Sequence, residues 1–176
     1  MLLQQASRLP ANVLDRKVSF MSQTAVALSP TAREAIAEAL NQSVAETAVT
    51  TMLAQNFHWN VTGMSFGPLH ALFQEIYEDH FTAQDDLAER IRALAVFAEG
   101  TLAGMIARSK VSEFEGEADA KTMIAKMLEA QETLASTVHG AGELAAEHGD
   151  TLTEDLCTAR GQVHEKFAWM LRAHLQ

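Results

Sequence analysis

The sequence predicts an all-α protein, a four-helix bundle with one long crossover. Three observations carry this. Of the 176 residues, 48% are hydrophobic and only three are prolines, and the strong helix formers Ala, Leu, Glu and Met are abundant. Apolar residues recur at helical spacing along four long segments. Each segment is bounded by residues that start or stop helices. The length suits one domain with its own core.

Residues 1–28 show no clean helical period. Arg8, Arg16 and Lys17 face only Asp15 there, so this stretch reads as a flexible, mildly basic arm. A weak DNA-contacting arm is the functional alternative, and Met21 is a possible true start. The bundle is expected over 29–176. Its first helix begins near Ser29-Pro30, serine suiting the N-cap and proline the first helical position. Thr31 with Glu34 offers a capping box instead. Ile36, Leu40, Val44, Met52 and Leu53 carry an apolar stripe toward Phe57, and Gly63 ends the run. Gly67-Pro68 opens a second helix with Leu69, Leu72, Phe73, Ile76, Leu87, Ile91 and Leu94 at helical spacing, reaching about Ala95. Residues 96–116, with Gly100, Gly104 and Gly116, form a long connection holding a short helix near Leu102–Ala107. A third helix spans about Asp119 to His148, closed by Gly149. A fourth starts at Thr151, with Glu154 completing a capping box, and ends near His174.

The formal net charge of −10 disfavours nucleic-acid binding through the whole surface and suits attraction of metal cations. The single cysteine, Cys157, excludes an internal disulfide and fits a reducing cytosol. No stretch approaches eighteen apolar residues, and the start lacks the pattern of a secretory signal. A cytoplasmic protein without a membrane partner is expected.

The chemistry concentrates between His58 and Glu89. His58 and His70 stand twelve residues apart, and Asp85 and Glu89 one helical turn from each other. Imidazole with carboxylate is a donor set for divalent iron. At about 100° per residue, with His70 at zero, Gln74 falls near ~40°, Asp85 near ~60° and Glu89 near ~100°. Leu69, Phe73, Ile76, Leu87 and Ile91 cluster around ~240–300°. The polar donors therefore share a face that is not the core face. His70 and Asp85 are separated by about 22 Å of helical rise, while metal–ligand bonds are about 2.0–2.2 Å. A single copy cannot gather all four side chains at one ion. A second copy packed antiparallel would bring its Asp85 and Glu89 to His70 here, giving two equivalent sites per two-fold dimer. His58 can reach His70 across the short connection.

The same stretch carries a resemblance. HWNVTG, PLH and QDDLAERI, with GDTLTEDL and HEKFAWMLRAHL near the end, strongly resemble the Dps family, the miniferritins named for DNA protection in starved cells. The resemblance covers about residues 30–175. It implies a ferritin-like four-helix bundle assembled as a hollow dodecamer. There Fe(II) is oxidised, preferably by hydrogen peroxide, at sites shared between two-fold-related chains, and ferric mineral is stored inside. The family's histidine ligands match His58 and His70, and its carboxylate ligands match Asp85 and Glu89. The resemblance also sets Trp59 near the iron site, where it would trap an oxidising radical; on its own Trp59 reads as a packing residue. Asp150 and Asp155 match positions that line a three-fold ion entry pore, although Asp150 also reads as a helix cap.

One departure stands out. The family usually has aspartate four residues after the second histidine, and here Gln74 stands there. Glutamine is neutral and a poorer ligand for a hard cation. Glu75 points about 140° from His70, which leaves Glu78 and His80 as substitutes. His139, His148, His164 and His174 read as surface or interface residues.

Three other readings compete. A di-iron bundle oxidase or large ferritin uses Glu-x-x-His pairs inside one bundle. Three residues before the seven histidines stand Gln55, Gly67, Tyr77, Ser136, Ala145, Gly161 and Leu171, so no such pair exists. A nucleoid protein that mainly binds and compacts DNA, with weak ferroxidase activity, would be better served by a lysine-rich arm. A purely structural helical oligomer would lack metal chemistry.

Overall fold

The computed structural model describes residues 27–176. The readings of the arm with Arg8, Arg16 and Lys17, and of Met21 as a start, fall outside the described residues. Within them the chain forms five helices and no strand: α1 Pro30–Asn60, α2 Phe66–Ala93, α3 Leu102–Arg108, α4 Ala120–Glu147 and α5 Thr151–Ala173. α1 and α2 form one helical hairpin, α4 and α5 another, and α3 lies in the crossover between them. α1 packs on α2, α3 and α4, and α5 on α4 and α2.

Local chemistry explains the boundaries. Ser29 caps α1 by accepting from the Ala32 N–H at 3.1 Å, so the cap forms there and not at Thr31. α2 starts at Phe66, before the expected Gly67-Pro68, because the Leu69 N–H bonds the Ser65 carbonyl at 3.1 Å, directly after a turn closed by the Phe66 N–H on the Gly63 carbonyl at 3.1 Å. Gly63 supplies the positive φ of 94° that this tight reversal needs. α2 stops at Ala93, with Ala95 in the left-handed region at φ 62°. Asp119 caps α4 by accepting from Thr122, 2.7 Å away. α5 starts at Thr151 as expected, and its cap is Asp150, which accepts from the Thr153 N–H at 3.3 Å; of the two caps the sequence offered, Asp150 is used and the Thr151–Glu154 box is not.

The crossover is tied down by amides of α1. Asn41, buried, donates to the Phe97 carbonyl at 3.2 Å and accepts from the Glu99 N–H at 2.9 Å. Gln42 donates to the Arg108 carbonyl at 2.9 Å, and Asn56 to that of Phe114 at 3.3 Å. These bonds pair backbone groups of the crossover and of the last turn of α3 with side chains of α1.

The core is divided in two. One apolar cluster gathers Phe57, Leu69, Phe73, Ile76, Met127 and Phe167. The other gathers Ile36, Leu40, Leu87, Ile91, Met105 and Cys157. Between them lies a buried polar layer, the waist of the bundle. Glu46, Thr47 and Thr50 come from α1, His80 from α2, Gln131 from α4, and Arg160 and His164 from α5. On each helix these residues fall between members of the two clusters, as His80 does between Ile76 and Leu87.

Candidate metal centre

The last turn of α1 and the first turns of α2 bring His58 and His70 together. Phe57, Val61, Leu69 and Phe73 are buried on either side of the connection and fix how the two helices meet. The two imidazoles stack, with ring centroids 3.7 Å apart and planes 20° from parallel. His58 Nδ1 donates to the His70 carbonyl at 2.8 Å, and His70 Nδ1 donates to the His58 carbonyl at 2.8 Å. A carbonyl oxygen only accepts, so Nδ1 carries the proton in both rings. Each Nε2 is left with its lone pair. This is how a metal-binding histidine is commonly oriented by its outer contacts.

Two further rings bracket the pair. Phe66 stacks on His70 at 5.0 Å, and Tyr77 meets His58 edge-on at 5.3 Å. Neither was singled out from the sequence. Phe66 lies four residues before His70 and Tyr77 seven after it, spacings that put all three on neighbouring faces of α2.

The remaining predicted ligands lie further along α2. Asp85 and Glu89 are exposed, one turn apart, on the same uninterrupted helix as His70. The structure does not bring them to the imidazoles within one chain. Among the described residues no group of three or more His, Cys, Asp or Glu side chains is placed to hold a metal ion. Asp85 borders an open groove of about 540 Å³ whose apolar walls include Phe81, Ala88, Ala98 and Met105.

Gln74 donates to Glu78 Oε1 at 2.7 Å, so Glu78 stands on the donor face beside it. Glu75 turns the other way to Lys166 of α5, at 3.3 Å. His80 is not a substitute ligand: it is fully buried, donating to Asp79 at 3.1 Å and facing Gln131 at 3.0 Å. Trp59 is 65% exposed and is therefore not a packing residue within its own chain.

The other predictions divide. Asp150 does not line an opening. It is fully buried and binds Arg90 at 2.7 Å and the Thr153 hydroxyl at 2.5 Å. Burial alone would raise its carboxyl, but the Arg90 and Thr153 hydrogen bonds hold it below the usual range. Asp155 is exposed. Of the four histidines read as superficial, His139, His148 and His174 are exposed, but His164 is fully buried. Its ring lies 5.1 Å from that of His80. The signal that could have found the waist was there: polar Glu46, Gln131 and His164 occupy positions where the apolar period of each helix calls for a core residue.

Two helical hairpins joined by a long crossover that carries a short helix, with His58 of α1 stacked on His70 of α2 and Asp85 and Glu89 further along α2, define a ferritin-like protein. The family model "Ferritin-like domain" matches residues 37–176. General stress protein 20U of Bacillus subtilis is 34% identical over 142 residues, covering 81% of this chain and 98% of that protein. The DNA protection during starvation protein of Brevibacillus brevis is 32% identical over 144 residues, covering 82% and 97%. The crystal structure of the Dps protein from Vibrio cholerae superposes with a TM-score of 0.80 at 31% identity, over 88% of this chain and 100% of that one. That protein is described as a member of a broad superfamily of ferritin-like diiron-carboxylate proteins. The chain belongs to the Dps family.

Proposed function

We propose that this protein oxidises Fe(II) with hydrogen peroxide at sites completed by a second copy of the chain, and stores the ferric product. The observation that carries the reading is the reciprocal lock of His58 and His70. It dictates which nitrogen of each ring is bare, and His70 shares its helix with Asp85 and Glu89. The two rings lie face to face in near-parallel planes. In the proposed site the imidazoles bind the ferrous ions, and a dyad-related chain supplies Asp85 and Glu89. Carboxylates neutralise the charge that grows as Fe(III) forms. Peroxide takes one electron from each of two ferrous ions and, with two protons, leaves as two waters. No hydroxyl radical is released, and this would protect DNA.

The relatives named for DNA protection and the ferritin-like diiron-carboxylate neighbour support the reading. The assembly is proposed to be a hollow dodecamer in the cytoplasm. Among the described residues no helix is long and apolar enough to cross a membrane. The test is anaerobic Fe(II) loading followed by peroxide, on the wild type and on His58→Ala/His70→Ala. The double variant should lose rapid oxidation while sedimenting as the same oligomer. Unchanged oxidation kinetics would refute the assignment. A wild-type chain that stays monomeric with ferrous ion would refute the shared site.

A further inference from the structure

The waist belongs to neither apolar cluster and plays no part in the proposed iron chemistry. Its hydrogen bonds form a directed chain. Arg160 grips Asp79 through both terminal nitrogens, at 3.2 and 2.6 Å. Asp79 accepts from His80 Nδ1 at 3.1 Å. His80 Nε2 then accepts from the Gln131 amide nitrogen at 3.0 Å, and Gln131 Oε1 accepts from His164 Nδ1 at 3.0 Å. The chain ends at His164 Nε2, which is buried and has no hydrogen-bond partner among the described residues.

This order works only with both imidazoles neutral. A proton on His164 Nε2 creates a buried N–H with no acceptor. A proton on His80 Nε2 faces the Gln131 NH2, donor against donor. Turning the Gln131 amide over mends that contact but sets its NH2 against the His164 Nδ1–H. His164 must then move its proton to Nε2, and the same unpaired N–H reappears. A buried donor without an acceptor is costly, and a buried unpaired charge more so. The charged groups of the layer supply no acceptor at either Nε2. On α5 Arg160 is itself a cation. On α2 Asp79 is already committed to Arg160 and His80. On α1 Glu46 gives one carboxylate oxygen to Gln42 at 2.6 Å, and the other is buried without a hydrogen-bond partner among the described residues and forms no ion pair with either ring. α4 contributes only the neutral Gln131.

We propose that the waist is an acid-operated latch: the bundle stays closed while His80 and His164 are neutral, and a proton taken by either opens the contact between α2 and α5. Desolvation acts in the same direction on both rings. Burial, then the neighbouring His80 and Arg160, pushes His164 down to about 2. Burial likewise lowers His80, against the opposing pull of Asp79.

The test uses the full chain as purified, between pH 8 and 4.5. Histidine C2-hydrogen exchange read by mass spectrometry reports the protonation of each imidazole. Amide exchange, corrected for its intrinsic pH dependence, reports opening. His80 and His164 should show no inflection while the amides of 76–84 and 156–168 stay protected. Both should titrate only where those amides lose protection, by tenfold or more. Titration of either ring between pH 5 and 8 with protection intact would overturn the latch. His164→Gln, which keeps an amide donor toward Gln131, should move the opening at least half a pH unit lower. An unchanged midpoint in that variant would also overturn it. If the variant does not fold, the wild-type exchange decides alone.

Discussion

His58 and His70 show how much one pair of side chains can settle. Each ring spends its Nδ1 proton on the other's backbone carbonyl, so the tautomer, the ring plane and the bare nitrogen are fixed together. Gln74 is the weak point of the same face. Its amide is paired with Glu78 and would bring no charge to ions in the proposed site. Gln74→Asp should tighten metal binding about tenfold, or ~1.4 kcal/mol. The new like-charge pair with Glu78 would take back only about 0.2–0.5 kcal/mol. Anaerobic Fe(II) titration calorimetry checks this, and equal or weaker binding would count against the role given to the departure. The proposed ligand positions could be picked out in the sequence because metal chemistry limits the usable residue types. The stacking and the exchanged carbonyl bonds were not, because they depend on how two helices meet.

At the scale of elements, the start of α5 is pinned to the end of α2. Asp150 is at once the cap of α5, the acceptor for Thr153 and the partner of Arg90. Breaking a buried pair from one side leaves an uncompensated charge, which costs about 3–5 kcal/mol. Asp150→Ala should therefore lower unfolding stability by at least ~3 kcal/mol in urea, and Asp150→Asn, which keeps a capping oxygen, by less. A loss below about 1 kcal/mol in Asp150→Ala would contradict this account. Cys157 lies nearby, and burial followed by the Asp150 charge raises its thiol to about 11. It should stay unreactive toward thiol reagents at neutral pH while the bundle is folded; rapid labelling would show the burial to be transient.

Over the whole molecule, the polar waist makes stability depend on pH in two separate windows. His164 is pushed down to about 2 in the fold against 6.5 as its ordinary value. The unfolded chain thus binds the extra proton first. Its contribution is complete above pH ~6.5 and falls by up to about 1.4 kcal/mol per pH unit below that. Asp79 behaves as a depressed carboxylate: burial opposes the shift, but His80 and Arg160 hold it well below 3.8. Its contribution persists down to about pH 4 and is lost only in stronger acid. Urea midpoints should hardly change between pH 8 and 7 on account of the waist, and should drop steadily between pH 6 and 4.5. A flat profile across that second interval would contradict the buried neutral histidines. Gln131→Leu, which cuts both bridging bonds, should cost about 2–3 kcal/mol at pH 7.5.

The sequence alone determined the helical class, the crossover, most helix bounds within a residue or two, and the face shared by His70, Asp85 and Glu89. These follow from local propensity, capping chemistry and a fixed rise per residue, all written along the chain. It even excluded a single-chain site, because 1.5 Å per residue is a property of any α-helix. Tertiary structure decided the rest. Only packing could show that Asp150 is buried against Arg90 and that His164 lies inside. Only packing could set His80 against Gln131 and leave Trp59 outside. Burial is a relation between segments far apart in sequence, and the polarity of a residue does not reveal which neighbours will surround it.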